Sequence, residues 1–230
     1  MDLTVFHGSP RKGNTYTATT IFTEELKKLG RVNITEFYLP KALPEFCTGC
    51  QKCLGNPNDS CPHAEYAEPV LASILKSDAL IFATPHFACN MSGAMKNLLD
   101  HLDFLTMNVA PRKEVFQKRA FIITTGSGSA AAIKLIRKFL LNWGVNRVYS
   151  ICIRMFTDKW DKMPMKKQKR IDRRLRKAAN SFFNTKVKRP RISSVIMYHV
   201  FKFIIRRYIG EGNYPFEYWK EQGYFTKRPF

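Results

Sequence analysis

The chain alternates short apolar runs with amphipathic stretches, and this alternation limits the folds it can adopt. The apolar runs predict strands at 3–7, about 32–38, 79–84, about 119–125 and about 147–155. Between them, the spacing of apolar residues predicts helices at about 15–28, 65–76, 93–105 and 130–142. Residues 80–83 and 120–123 are apolar throughout, as in parallel strands that helices cover on both faces. The sequence therefore predicts an α/β fold with a doubly wound sheet of five parallel strands.

The first strand leads directly into a loop that favours phosphate binding. Residues 8–15 are Gly-Ser-Pro-Arg-Lys-Gly-Asn-Thr, and a predicted helix follows them. Backbone N–H groups in such a loop, together with the positive end of the helix, bind phosphate with little help from side chains. The spacing nearly matches the P-loop pattern, but Asn14 stands where a nucleoside triphosphatase has its lysine. We therefore expect a monophosphate such as that of FMN, and not a triphosphate.

Two further loops are expected beside this one, because the carboxyl ends of parallel strands lie at one edge of the sheet. They are residues 85–92, after the third strand, and residues 124–129, after the fourth. Small residues in the second of these loops would let a flat ring approach the backbone closely. Its Gly126-x-Gly128-x-x-Ala131 spacing also resembles a dinucleotide fingerprint, although no acidic residue follows at the usual distance of about 20 residues.

Positive charge is concentrated towards the C-terminus. The net charge is +20, and residues 1–150 contain 17 Lys/Arg and 12 Asp/Glu, whereas residues 151–230 contain 21 and 6. We expect a sheet domain at 1–160 with a cysteine-rich insertion at 45–63, followed by a basic helical and aromatic extension at 161–230. The start of this extension predicts a solvated basic helix, and its aromatic-rich end is expected to pack against the rest of the protein. No module that reads nucleic acid is recognisable, so no nucleic-acid partner is expected.

The apolar segment 195–209 is too short, and too often interrupted by charge, to cross a bilayer. Docking of this segment onto the sheet domain or a partner subunit is the favoured interpretation, and contact with a membrane surface is the alternative. The first residues run straight into a strand pattern without the basic and apolar regions of a signal peptide. A cytoplasmic location is therefore expected.

Four of the six cysteines lie close together, at Cys47, Cys50, Cys53 and Cys61. Thiolates at C-x-x-C spacing can bind one metal centre, and the pattern resembles bacterial iron–sulfur segments with a longer last gap. Gly49, Gly55 and the turn at 56–59 would let this loop wrap around a cluster. Free or redox-active thiols and a tetrahedral zinc site are the alternatives, and structural disulfides are not favoured in a reducing compartment.

Two of these loops carry a resemblance to a known family. Residues 8–15 with Thr17, and residues 83–96 followed by Leu99 and Asp100, resemble the flavodoxin-fold NAD(P)H-dependent FMN reductases. With the cysteine segment, residues 1 to about 155 resemble the iron–sulfur flavoprotein branch of that family. The resemblance implies a flavodoxin-like fold, FMN as cofactor, NAD(P)H as electron donor and a homodimer. It also implies that the four clustered cysteines bind one [4Fe–4S] cluster.

The resemblance further implies which residues bind FMN. The phosphate would be held by Ser9, Arg11, Asn14, Thr15 and Thr17. The isoalloxazine would be lined on one side by Pro85, His86, Phe87, Asn90, Met91 and Ser92, and on the other by Thr125, Gly126 and Ser127. The family commonly has Tyr where His86-Phe87 stand and Arg where His101 stands, so the sequence departs from the family pattern there.

These features together predict an FMN-dependent NAD(P)H oxidoreductase that needs no catalytic side chain. Reduced FMN would pass electrons to a small acceptor of the quinone, nitro or azo type, or to a redox partner such as a ferredoxin-like protein. One alternative is an iron–sulfur flavoprotein that carries electrons without a small-molecule substrate. Another is a basic protein that associates with membranes or nucleic acid and only retains the fold. His7 and His199 are expected to be packing or surface residues.

Overall fold

Five parallel strands form a single sheet in the computed structural model, which describes residues 1–54, 61–128, 130–187 and 189–230. The strands are β1 (Asp2–His7), β2 (Asn33–Tyr38), β3 (Ala79–Pro85), β4 (Arg119–Gly126) and β5 (Arg147–Arg154). Their order is β2-β1-β3-β4-β5, which is the flavodoxin-like order of a doubly wound sheet. The predicted fold class is confirmed. The predictions for Gly55, for the turn at 56–59 and for position 129 lie outside the described residues.

Four of the helices occupy the intervals predicted for the sheet domain, with small differences in their ends, and four further helices are present in the described residues. They are α1 (Asn14–Leu29), α2 (Leu39–Ala42), α3 (Ala64–Lys76), α4 (Gly93–His101), α5 (Ala130–Asn142), α6 (Met165–Phe183), α7 (Ile192–Ile204) and α8 (Tyr214–Glu221). The helix predicted to reach residue 105 ends at His101, and a separate turn of 3₁₀-helix follows at Asp103–Leu105. A short π-helix at Ile205–Ile209 continues α7.

Side chains of the sheet alternate between two apolar cores. In β1, Leu3 and Val5 face the core that α1 and α6 cover, whereas Phe6 faces the core under α3, α4 and α5. Strands buried on both faces must be apolar at nearly every position, which explains the continuous apolar runs of β3 and β4. The two layers of helices leave the carboxyl edge of the sheet open for the loops that follow β1, β3 and β4.

Helix α6 corrects the expectation of a fully solvated basic helix. Its apolar residues recur every three or four positions, and Ile171, Leu175, Ala179 and Phe182 are buried. The ring of Phe182 lies 5.5 Å from that of Phe121 in β4, so α6 packs on the sheet beside α1. Only the opposite, basic face is solvated. The division of the chain at residue 160 stays a prediction.

The aromatic C-terminal segment packs, as expected, and builds a third apolar core. Tyr198 of α7, Trp219 of α8 and Tyr224 are buried together with Met107 and Phe116 from the connection before β4. The rings of Tyr198 and Trp219 are stacked, with centroids 5.7 Å apart. Among the described residues, no helix combines the length and apolar character that crossing a bilayer requires.

Candidate functional site

Three loops at the carboxyl edge of the sheet enclose a cavity of about 410 Å³. The volume is within the range of small-molecule sites. Nine of the predicted cofactor-binding residues line it: Ser9, Arg11, Asn14, Thr15, Pro85, His86, Phe87, Thr125 and Gly126. The structure thus brings the loops after β1, β3 and β4 together around one space.

The loop after β1 is held close to α4 by a position where only glycine fits. A Cβ atom on Gly8 would lie 2.7 Å from Ser92 Oγ and 3.1 Å from Met95 Cβ. The Ser92 hydroxyl caps α4 by accepting a hydrogen bond from the backbone N–H of Met95. The loop after β1 is therefore packed directly against the start of α4, which follows the loop after β3.

Asn14 connects this loop to a part of the chain that the sequence does not predict in the site. Its Nδ2 donates hydrogen bonds to the backbone carbonyls of Thr157 (3.0 Å) and Asp158 (3.2 Å). Its Oδ1 is buried and has no hydrogen-bond partner within the chain. Neighbouring Thr15 shares a 2.6 Å hydrogen bond with Thr125, which ties the first loop to the end of β4. These contacts fix the positions of the loops relative to one another.

The segment that follows β5 forms a wall of the cavity that the sequence patterns do not predict. It contributes Met155, Thr157, Asp158 and Lys159, while the first loop adds Lys12 and Gly13. The sequence offers no motif in this segment, because its position depends on the link from Asn14 across 143 residues. The cations Arg11, Lys12 and Lys159 face one carboxylate, Asp158, so the lining is suited to an anion.

Residues 87–90 form a tight reversal in the loop after β3. Phe87 and Asn90 exchange backbone hydrogen bonds of 2.9 and 2.8 Å, and both residues between them, Ala88 and Cys89, have positive φ. This geometry projects Phe87 into partly solvated space beside the cavity. An L-residue in this conformation costs about 1–2 kcal/mol, so the surrounding packing must hold the turn in place.

Five predicted cofactor-binding residues do not line the cavity: Thr17, Asn90, Met91, Ser92 and Ser127. Met91 is buried in the apolar core, and the Ser92 hydroxyl is engaged by α4 and by Thr84. Ser127 lies at the rim, with its hydroxyl 3.2 Å from His86 Nδ1. Direct contacts of these residues with a flavin stay predictions.

His7 is a packing residue at the end of β1. It is buried, stacks on Tyr38 at 4.7 Å and pairs with Glu36 through Nε2 at 2.9 Å. Burial lowers the pKa of His7 below its ordinary value, and the hydrogen bond to Glu36 only partly opposes this effect. The imidazole is therefore neutral at physiological pH and supports the strand edge next to the site.

A second, larger cavity of about 830 Å³ adjoins the first through His86. It lies at the edge of the sheet along β5, between α5 and α6. Of the described residues that line it, none is acidic and six are cations: Lys134, Arg137, Arg154, Lys167, Arg170 and Arg174. None of the ion pairs found in the described residues involves these six side chains. We refer to this space as the basic groove.

The clustered cysteines lie on the other side of α4. Asn97 holds their loop, since its side chain accepts a hydrogen bond from the backbone N–H of Cys47 and donates to the carbonyl of Glu45. The pKa of Cys53 is raised mainly by burial. The nearby thiols of Cys61, Cys47 and Cys50 raise it further, and Cys61 contributes most of the three. These thiols influence the pKa of Cys53, but in the described part of the chain the group of ligand atoms that lie within 4.8 Å of one another is Cys61, His63 and His101, and not the four cysteines.

A histidine pair beside the cysteines was not predicted. His63 Nδ1 lies 3.0 Å from His101 Nε2, and their donor atoms and Cys61 Sγ all lie within 4.8 Å of one another. His101 Nδ1 is 3.0 Å from the backbone carbonyl of Asn97, which orients the ring. The two histidines are separated by 38 residues, so no local spacing signals their contact.

A cavity of about 210 Å³ lies next to Cys53 and Cys61. Arg112 and Tyr214 line it, so the third core extends to the cysteine loop. Arg112 Nη1 donates a 2.6 Å hydrogen bond to the Tyr218 hydroxyl, whereas its Nε is buried without a partner within the chain. The cavity thus combines two thiols with a buried N–H donor from a cation.

Curated relatives with related sequences are iron–sulfur flavoproteins. One from Archaeoglobus fulgidus is 32% identical over 145 residues, covering 59% of this chain and 67% of the relative. Another, from Clostridioides difficile, is 30% identical over 151 residues and covers 63% of each chain. A second protein from Archaeoglobus fulgidus aligns along 94% of this chain and 96% of its own length, at 22% identity.

Solved structures with the same fold include an azoreductase and a quinone oxidoreductase at low sequence identity. Azoreductase AzrA gives a TM-score of 0.63 at 14% identity and covers 79% of this chain and all of that chain. An NAD(P)H:quinone oxidoreductase from Methanothermobacter marburgensis gives 0.59 at 14% identity, covering 80% and 96%. At these identities the likeness shows the fold alone. The model of the NADPH-dependent FMN reductase family matches residues 1–151, and the chain therefore belongs to that family of oxidoreductases.

Proposed function

We propose that the protein binds FMN in the 410 Å³ cavity and uses it to oxidise NAD(P)H. This proposal rests on the convergence of three loops on one cavity, because the loop after β1 contributes the cations Arg11 and Lys12 to its lining. Within it, the backbone of residues 9–13 and the start of α1 would hold the phosphate, with Arg11 and Lys12 adding charge. Pro85, His86 and Gly126 would border the flat ring.

The residues present fit FMN by two observations. The buried Oδ1 of Asn14 lacks a partner within the chain, and a ligand N–H or hydroxyl would satisfy it. The loop after β1 also contributes the cations Arg11 and Lys12 to the cavity, whereas the loops after β3 and β4 contribute small or apolar residues such as Pro85 and Gly126, which suits a phosphate joined to a ring system. When bound, FMN would supply hydride and electron transfer, and the protein would position the ring and exclude competing reactions.

The basic groove is where we place the phosphates of the electron donor. It opens beside His86, at the boundary of the proposed flavin cavity, and its six cations face no carboxylate. NADH and NADPH both carry a pyrophosphate, and NADPH carries an additional phosphate. Cations that are not neutralised by a carboxylate attract such polyanions strongly at low ionic strength.

We also propose that Cys47, Cys50, Cys53 and Cys61 bind a [4Fe–4S] cluster. Burial is the main reason that the pKa of Cys53 is raised, and the smaller contributions of Cys61 and Cys47 support this proposal, because a cationic metal centre would stabilise thiolates that repel one another. The unpartnered Nε–H of Arg112 is available as a donor towards this side of the cavity. A bound cluster would supply one-electron transfer. A zinc site that includes Cys61, His63 and His101 is the competing assignment.

Anaerobic purification followed by visible spectroscopy and analysis of flavin, iron, sulfide and zinc tests these assignments together. We expect one FMN for each chain, as well as iron and sulfide that disappear in Cys50→Ser and persist in Cys152→Ser. Absence of flavin after reconstitution with FMN would contradict the proposed cofactor. Zinc without sulfide would contradict the cluster while leaving the flavin assignment intact.

We propose the acceptor from the activities of structural neighbours, which include azoreductases and a quinone oxidoreductase. Steady-state oxidation of NAD(P)H with quinone, azo and nitro compounds tests for a small acceptor. Turnover only with a ferredoxin-like protein would support the alternative, an iron–sulfur electron carrier. We further propose a homodimer located in the cytoplasm, which gel filtration and cell fractionation would test.

A further inference from the structure

Helix α7 and its π-helical continuation expose apolar side chains on the face that points away from the protein. On the inner face, Ser194, Tyr198 and Ile205 are buried in the third core, and the Tyr198 hydroxyl donates a 2.7 Å hydrogen bond to the carbonyl of Tyr224. This packing fixes the orientation of the whole segment 192–209. The outer face therefore cannot turn inwards without breaking the third core.

The outer face forms a continuous stripe, which we call the outer stripe. It consists of Ile192, Ile196, Val200, Phe203 and Tyr208, and each of these side chains is between 48% and 78% exposed. Their spacing of three to five residues places them along one side of the helix over about 24 Å. The rings of Phe203 and Tyr208 meet edge to face at 6.1 Å. A contiguous exposed apolar surface of this kind marks an interaction site.

Positive charge predominates along the stripe, and the exposed carboxylate of Glu211 beyond its end lies 4.0 Å from Lys220. Residues 186–210 contain seven Lys/Arg and no Asp/Glu. Two of these cations are held against rings: Lys202 lies over Tyr198, and Arg206 over Phe225. Arg207 is exposed next to Phe203 and Tyr208 in the same turns of helix. Apolar side chains bordered by cations are the combination that binds at the interface of an anionic bilayer.

We infer that the outer stripe binds the surface of an anionic membrane, with α7 lying parallel to the lipid plane. Pairing of two stripes in a dimer would instead place two strongly basic segments side by side, at a repulsive cost that anionic lipid headgroups avoid. The inner face stays in the third core, so the segment rests in the interface and does not cross the bilayer. The inference does not depend on the flavin or on the cysteine cluster.

Cosedimentation of the full-length protein with lipid vesicles tests this inference. Vesicles of phosphatidylcholine with about one third phosphatidylglycerol should bind the protein, and vesicles of phosphatidylcholine alone should bind it at least about tenfold more weakly. Phe203→Ser should weaken binding to the anionic vesicles by about tenfold, because a large apolar side chain is lost from the interface. Arg207→Glu should weaken it by about fivefold or more, and high salt should weaken it further.

Matched variants on α6 distinguish the stripe from the general basic surface. Met165→Ser removes another exposed apolar side chain, and Arg173→Glu makes the same charge change away from α7. Both should change binding less than twofold. Equal losses in Arg173→Glu and Arg207→Glu, or no loss in Phe203→Ser, would overturn the inference. It would also be overturned if the protein failed to bind anionic vesicles, or if Phe203→Ser converted a dimer to a monomer in gel filtration without affecting vesicle binding.

Discussion

Gly126 and His86 lie so close that a Cβ atom on Gly126 would approach the Cβ of His86 to 2.7 Å. Gly126 also has a φ of +138°, a conformation that other residues rarely adopt. The ends of β3 and β4 are joined here by a 2.8 Å hydrogen bond from the backbone N–H of His86 to the carbonyl of Thr125. The two loops can approach this closely because Gly126 has no side chain, and this approach sets the width of the cavity between them.

Gly126→Ala should weaken FMN binding by at least about tenfold, because His86 and its loop must shift to admit the methyl group. Fluorescence titration of the apoprotein with FMN measures the dissociation constant. Gly128→Ala is the matched control, because a Cβ atom there meets nothing within 4 Å and its φ lies outside the region that favours glycine. Equal affinities in the two variants would show that the gap between the loops does not shape the flavin site.

Asn14→Ala should also weaken FMN binding, by about tenfold, through loss of the wall after β5. The substitution removes both hydrogen bonds that hold the carbonyls of Thr157 and Asp158, each worth about 0.5–1.5 kcal/mol. Thr20→Ala, on the same helix, removes only a bond to the Tyr16 carbonyl and should bind FMN normally. Normal FMN affinity in Asn14→Ala would contradict the proposed role of this wall.

Arg170→Glu should raise the KM for NADPH several-fold with little change in kcat, because the basic groove would bind the donor before reaction. Lys177→Glu makes the same change in net charge on the same helix but lies outside the groove. Steady-state kinetics at low and physiological salt measure both variants. A similar effect of both substitutions would indicate general electrostatic attraction and not a donor site.

Phe182→Ala should lower the free energy of unfolding by about 3–5 kcal/mol, as expected for a buried aromatic residue. Its ring contacts Phe22 on α1 and Phe121 on β4, at centroid distances of 5.9 and 5.5 Å. Met165→Ala on the exposed part of the same helix should cost little. Denaturant unfolding measures both variants.

A chain that ends at residue 160 lacks α6 and should not fold stably. A stable 1–160 fragment would instead support a domain boundary there.

His7 should make the protein less stable as the pH falls below about 6.5. Its pKa is lowered in the folded state, so the unfolded chain takes up a proton first and gains stability relative to the native protein. His7→Gln removes this titration, and its unfolding free energy should change less between pH 7.5 and 5.5. Urea denaturation at the two pH values provides the test, and an equal pH dependence in both proteins would exclude the role of His7.

Sequence patterns predict the sheet because its signals are local. Each buried strand is a short apolar run, and the loop at 8–15 has a spacing that directly predicts its chemistry. The same reasoning predicts α6 to be solvated, because it gives more weight to the many cations than to the periodic apolar residues 171, 175, 179 and 182, which are buried. Periodicity was the available signal, and the burial of those residues depends on Phe121 and α1, which are distant in the chain.

The parts of the site that escape prediction depend on tertiary contacts. Asn14 holds the wall after β5 through the carbonyls of Thr157 and Asp158, and the Met155 N–H donates to the Gly126 carbonyl. His63 meets His101 only when α3 and α4 are packed. Conversely, Met91 belongs to a motif typical of flavin sites, yet its side chain turns into the core. A motif identifies the loop, whereas packing decides which of its side chains reaches the cavity.

The tie between Asn14 and residues 157–158 also has a consequence for how the protein acquires its cofactor. The phosphate loop is among the first segments to be synthesised, but its opposite wall comes late, and so does α6, which covers α1. A chain growing from its N-terminus therefore has no complete pocket until residues up to Lys159, and then α6, are available to fold. We therefore expect FMN to bind only after most of the chain has been synthesised, and a truncated product to lack it.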